Sequence, residues 1–307
     1  MPCAPEVKTN RPRCTLAMHH PVAALAISPD GTTLGVAVPG AGLTVWRFAE
    51  GTLAEGTPPT PSTTVPRDEA HRPEIMGAIA WRPDGHEIAL GLEDRVVRYA
   101  LPEGRLVRVL SGPGNVIRDV AWLPDGSRLV VTAFGDPAAH VLDADTGRAV
   151  ARYGVEREAS AIAVESGAET VVVGSETGAL ARFRMSDGAR LDSFSPASHG
   201  VVSVVRIDDL LAVLGTDGMI RILGAGDGQL RTSVAIGFTS ARLAGGPGGR
   251  VAVGLPSSHA VVIDARAGEI LRTLTGFGAP ILATAWHDRT LATGDAAGRV
   301  MVWDVEP

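Results

Sequence analysis

Ile27-Ser28-Pro29-Asp30-Gly31, Trp81-Arg82-Pro83-Asp84-Gly85 and Trp122-Leu123-Pro124-Asp125-Gly126 repeat one phrase. In each, an apolar run ends in a bulky residue and breaks at Pro-Asp-Gly. Glycine supplies the left-handed backbone that a tight hairpin needs, and Asp can bond its own main chain two residues on. Spaced apolar residues precede each break: Val22/Leu25/Ile27, Met76/Ile79/Trp81 and Ile117/Val120/Trp122. The same marker recurs as Val164, Ile207, Leu243 and Trp286, where the turn sequence has changed. Successive markers are 36 to 43 residues apart, except for the 54 between Ile27 and Trp81.

After each marker comes a short β-branched run, such as Leu129-Val130-Val131-Thr132 or Thr170-Val171-Val172-Val173. A Gly turn, a third run such as Val300-Met301-Val302-Trp303-Asp304, and a second Gly turn lead into a fourth run. Dense, short, β-branched runs mark strands covered on both faces, and no helical period interrupts them. A period of roughly 40 to 45 residues with four strands per unit is that of propeller blades. Seven markers predict an all-β fold: a closed seven-bladed β-propeller of four-stranded antiparallel blades over 13–307, with 1–12 a tail. The seventh unit stops after Trp303-Asp304, one strand short. Residues 13–18, Arg13-Cys14-Thr15-Leu16-Ala17-Met18, precede the first blade as Leu271–Gly276 precedes the last. They are expected to complete the seventh blade, because an open ring leaves unpaired strand edges. The long interval contains a Pro/Thr-rich insert, residues 54–69, which reads as an extended, solvated excursion.

The bulk properties exclude several classes. Hydrophobic content of 45% with mean hydropathy +0.16 is too high for a disordered chain. No apolar run approaches the roughly 18 residues of a membrane span, and Met1–Glu6 lacks the apolar core of a secretory signal. The expectation is a cytoplasmic protein that binds no membrane. A formal charge of -6 gives no electrostatic footprint for nucleic acid. Lys8 is the only lysine among 28 Lys and Arg residues, a bias expected of a GC-rich, bacterial genome. Cys3 and Cys14 have no CxxC partner and read as free thiols.

The period, the Pro-Asp-Gly turns, Trp46, Trp303-Asp304 and the circular closure together resemble the WD-repeat β-propellers, over roughly residues 13 to 307. Eroded propellers of bacterial surface and periplasmic proteins are similar too. The WD-repeat resemblance implies a structural network of His, Ser/Thr, Asp and Trp within a blade. His20 and Trp46 match it in blade one. Thr293, Asp295 and Trp303 match it in blade seven, where Phe277-Gly278 stands at the His. In blade five His199, Thr216 and Asp217 match, while Leu223 replaces Trp. The implied task is scaffolding of other proteins rather than catalysis.

Candidate chemistry is sparse. Asp143-Ala144-Asp145-Thr146-Gly147 starts like a calcium loop but lacks its later ligands. There is no HExxH and no GxSxG. Glu93, Asp94, Asp136, Glu176, Asp217 and Asp295 fall in turns on the face that carries the inter-blade connections. They read as turn makers rather than as an acidic ring. No catalytic residue, metal or cofactor is expected. Binding of an unidentified protein is assigned to residues bordering the central opening: His71, Arg72, Glu74, Arg118, Glu158, His199, Phe238 and Phe277. His20, Trp46, Asp217, Asp295 and Trp303 are assigned structural roles. The alternative is a propeller enzyme, or a small-ligand or cation binder, using the central funnel.

Overall fold

The computed structural model describes residues 11–48, 61–65 (main chain only), 77–165, 167, 169–197, 199–237 and 242–306. These residues form seven four-stranded antiparallel sheets. The first strands are Ala24–Ile27, Ala78–Trp81, Ile117–Trp122, Ala159–Glu165, Val201–Ile207, Ala244–Gly246 and Ile281–His287. Each packs against the first strands of its two neighbours, so they close a ring around a central opening. The all-β, seven-bladed propeller read from the sequence is the fold observed. Among the described residues no helix is long and apolar enough to cross a membrane.

The Pro-Asp-Gly phrase folds the same way three times. The glycine amides of Gly31, Gly85 and Gly126 donate to Ser28, Arg82 and Leu123 carbonyls, each at 2.9 Å. The three Asp side chains accept from the amides of Thr32, His86 and Ser127, each at 3.0 Å. The three glycines sit at φ 71°, 75° and 66°, where a side chain would be strained. The second strands are buried along most of their length, as at Val171, Val172 and Val173, because stacked blades cover both sheet faces.

Cys14–Ala17 pairs antiparallel with Arg299–Asp304, the third strand of blade seven, in the register Cys14↔Val302 and Leu16↔Val300. The ring is therefore closed by the N-terminal segment. In the other six blades the outer strand bulges opposite the same two third-strand positions, from Val45/Trp46 in blade one to Val262/Ile263 in blade six. A bulge bends an edge strand and blunts it against pairing with another chain.

Three sequence readings need correction. First, strand register places Arg206 and Gly245, not Ile207 and Leu243, at the positions of Trp81 and Trp122. The short interval of 36 residues then becomes 39, from Arg206 to Gly245. A glycine pair ends the first strand of blade six because both neighbours crowd it: a Cβ on Gly246 would be 2.4 Å from the Trp286 ring and one on Gly245 2.8 Å from the Val205 side chain. Second, the Pro/Thr insert is not wholly an excursion. Pro61–Val65 forms the outer strand of blade one, with Thr44↔Thr64 and Val45↔Thr63. Its Thr and Val residues favour extended backbone, and proline is tolerated at a strand's first residue. Third, Asp217 does not occupy the position of Asp295. Register aligns Gly215 with Asp295, and Asp217 lies two residues further on.

The polar network is complete in no described blade. In blade seven the Trp303 indole N–H donates to Thr293 Oγ1 at 2.9 Å, and Thr293 donates to the Met301 carbonyl at 3.2 Å. Asp295 Oδ1 accepts from the amides of Ala297 and Arg299, while its buried Oδ2 has no hydrogen-bond partner and lies 3.6 Å from Arg299 Nε. Phe277 packs its ring on Trp303, 5.6 Å between centroids. In blades one to six, the Thr293 position holds Val36, Leu90, Val131, Val173, Val213 and Val253, all buried. The consequence is visible in blade one, where the buried Trp46 indole N–H has no partner and the His20 side chain is exposed.

Aliphatic packing thus carries most blades, helped by two buried arginines. Arg98, 2% exposed, donates to Glu87 at 2.5 and 3.0 Å and to the Ala144 carbonyl of the next blade. At the equivalent place Arg182 bonds Glu165, Asp192 and the next blade's Ala225 carbonyl. The planar guanidinium serves a carboxylate and a carbonyl from separate edges of one fork, a geometry that the compact ammonium of a lysine does not reproduce.

Candidate partner-binding face

Among the described residues, inter-blade connections are bonded to turns between second and third strands. Phe134 N donates to Val116 O (2.8 Å), Ala159 N to Asp136 O (2.8 Å), Glu176 N to Glu158 O (3.0 Å) and Thr216 N to Gly200 O (2.8 Å). These turns and connections therefore share one face, as the sequence suggests. The first strands of blades three, four, five and seven carry a bulge at their start, and in blade three the extra residue is Arg118. Such bulges re-aim a side chain at the rim of a barrel-like ring.

Arg118 organises a cluster between blades three and four. Its guanidinium bonds Glu158 and lies 3.3 Å from Glu176 Oε1. It also stacks over the Phe134 ring, 5.6 Å from the centroid, a geometry in which the cation is attracted to the ring's negative face. Phe134 is 57% exposed; every other exposed large hydrophobic side chain among the described residues lies on an outer strand. In the adjoining turn Asp136 accepts from His140 Nε2 at 2.8 Å and from Arg152 at 3.2 Å. Burial pushes the Asp136 carboxyl up, but these bonds outweigh it and hold the group below the usual carboxylate range.

A second element spans the opening. Arg242, at the entry to blade six, places Nη1 2.8 Å from Asp119 Oδ2 of blade three and donates through Nη2 to the Arg118 carbonyl. Asp119 is held in turn by the amides of Ile162 (2.9 Å) and Val120 (3.0 Å). The Arg242 carbonyl accepts from Thr284 Oγ1 of blade seven at 2.6 Å.

The structure thus brings together Arg118 and Glu158 from the sequence-derived set. His199 stands apart in blade five, its Nδ1 3.7 Å from Asp217 Oδ2. There the bonds from Arg221 hold the Asp217 carboxyl below its ordinary range. Phe277 is half-buried against Trp303, so its ring supports the blade-seven core. His71, Arg72, Glu74 and Phe238 lie outside the described residues. The turn carboxylates act locally: Asp136, Asp217 and Asp295 bond their own turns, and Asp94 lies 3.3 Å from Arg95. Among the described residues no three His, Cys, Asp or Glu side chains gather in a way that could hold a metal ion. Sequence reasoning missed Phe134, Asp119 and Arg242. For Phe134 a signal existed: an aromatic inside the turn Ala133-Phe134-Gly135-Asp136, where no core position calls for one.

Residues 104–141 match the family of the WD domain, G-beta repeat. That segment runs from the outer strand of blade two through the third strand of blade three, the offset by which the N-terminal segment closes the ring. This match and the seven four-stranded blades together support a WD-repeat β-propeller. No curated protein matches it. WD-repeat propellers commonly serve as protein-interaction scaffolds and are typically non-catalytic. In this propeller the inter-blade face is bridged by Arg242 and Asp119.

Proposed function

We propose that this protein is a non-catalytic scaffold that docks a protein partner on the inter-blade face, at blades three and four. The observation that carries the reading is Phe134: a large aromatic exposed on the face where the fold leaves no other exposed large hydrophobic side chain among the described residues. Its ring is held by Arg118, which is itself fixed by Glu158 and Glu176. Rigid aromatics and arginines are the side chains that dominate interface energy. The Arg242–Asp119 bridge across the opening favours docking on the face over a ligand lodged in the funnel.

The test is affinity purification of the tagged protein from its native host, with mass spectrometry. A discrete partner is expected, and Phe134→Ala and Arg118→Glu should each weaken its capture. Truncating an anchor of this kind costs about 2 kcal/mol, roughly 30-fold in Kd. Recovery of the same partner at unchanged level by both variants would remove this face from consideration.

A further inference from the structure

The connection between blades three and four contains an unusual residue. Arg157 sits at φ 59°, in the left-handed region, where a bulky side chain is an outlier. Wherever else an inter-blade connection among the described residues enters that region it uses glycine: Gly114, Gly237 and Gly276. The other non-glycine residues at positive φ (Glu169, Asp208, Ser258 and Asp288) lie in hairpin turns within a blade. Arg157 is exposed, and its guanidinium has no hydrogen-bond or ion-pair partner among the described residues. This differs from Arg98, Arg118, Arg182 and Arg242, each bound to carboxylate and carbonyl or ring.

Arg157 is carried on a segment that runs along the turn holding Phe134. Val155 N donates to Pro137 O at 2.9 Å and Ala159 N to Asp136 O at 2.8 Å, so the segment 155–159 is laced along the turn 134–137. Glu158, next to Arg157, is taken up by Arg118. Asp136 is taken up by His140 and Arg152. Of the carboxylates around Phe134, these are neutralised internally, and exposed Glu156 bonds no neighbour. Strained backbone that persists where glycine would serve is a mark of a functional position.

We infer that Arg157 and Phe134 form a two-point anchor for a partner segment that carries an aliphatic or aromatic side chain beside a carboxylate. The ring takes the apolar group. The guanidinium fork takes the carboxylate through two parallel N–H···O bonds, the geometry that distinguishes Arg from Lys. This inference rests on the docking face proposed above and adds the chemistry of its guest.

A displayed library of random heptapeptides, selected on the intact protein, provides the test. Enriched peptides should pair Asp or Glu with a neighbouring Leu, Ile, Phe, Tyr or Trp. Their affinity should fall at least about 10-fold in Phe134→Ala and in Arg157→Gly, with Arg157→Lys also weakened. Arg157→Gly should at the same time raise Tm by about 2 °C, since glycine accepts the left-handed backbone without strain. Enrichment of peptides lacking a carboxylate, no enrichment, or equal binding by Arg157→Gly would overturn the inference, as would a Tm that does not rise. If the host partner is still captured through Phe134 while acidic peptides fail, the scaffold reading stands and only the guest's chemistry is wrong. Should partner capture also ignore Phe134, both readings fall.

Discussion

Arg242 and Asp119 meet across the central opening, 2.8 Å apart, joining blade six to blade three. In sequence they are over a hundred residues apart, and in the ring they stand on opposite sides. Because Arg242 also bonds the Arg118 carbonyl, the same guanidinium steadies the residue that stacks on Phe134.

Replacing Arg242 with Met should therefore have two effects. The pair is partly exposed, so its loss is expected to cost only about 1 kcal/mol, or about 2 °C in Tm. Partner capture should fall further than this small loss of stability explains, because Arg118 loses a support. Thermal unfolding and capture, measured on the same preparation, check the pair of effects. A stability loss with full capture would limit Arg242 to holding the ring.

Arg98 offers a sharper energetic test. Arg98→Met would leave Glu87 half-buried with only the longer contact to Arg82, at 3.3 Å. Breaking such a pair from one side costs about 3 kcal/mol. The double variant Arg98→Met/Glu87→Leu should recover most of that loss, since Val141, Ile222, Val262 and Val302 occupy the Arg98 position in other blades. Urea unfolding of the two single variants and the double variant closes the cycle.

The hydroxyl of Thr293 should be transferable. Thr293→Val strands the Trp303 indole N–H in the core and is expected to cost about 1–3 kcal/mol. Val36→Thr, at the equivalent place in blade one, gives the unpartnered Trp46 indole an acceptor and should stabilise by about 1 kcal/mol. Opposite signs in denaturant midpoint are the expected outcome. A destabilising Val36→Thr would mean that the Trp46 ring cannot reach the new hydroxyl.

The fold was legible because its signals are local. Pro29-Asp30-Gly31, Pro83-Asp84-Gly85 and Pro124-Asp125-Gly126 encode a turn within five residues, and three identical hydrogen-bond patterns result. The closure by Arg13–Met18 was readable from a missing strand. Register in blades five and six was not, since Ile207 and Leu243 satisfy an apolar pattern as well as Arg206 and Gly245 satisfy the true one. The glycines are explained by neighbouring blades: Trp286 lies over Gly246 and Val205 against Gly245. Arg118 and Glu158 were legible as rim residues. Arg242 and Asp119 were not, because nothing local tells a side chain what faces it across a ring. Arg157 was invisible for a different reason: its φ is set by the path of the connection, and sequence gave no glycine to mark it.

The closing strand imposes an order of events on the ring. Cys14 and Leu16 are buried against Val302 and Val300, yet some 280 residues of chain must be made before that seat exists. At typical synthesis rates this is roughly 15 to 60 s. For that time a strand whose apolar side chains belong in the core has no native partner. The pairing that finally seals the circle is also the contact of greatest sequence separation, the kind that forms late and slowly. The vulnerable moment for this protein is thus its own synthesis, when six blades can stack while the latch that locks them waits for its catch.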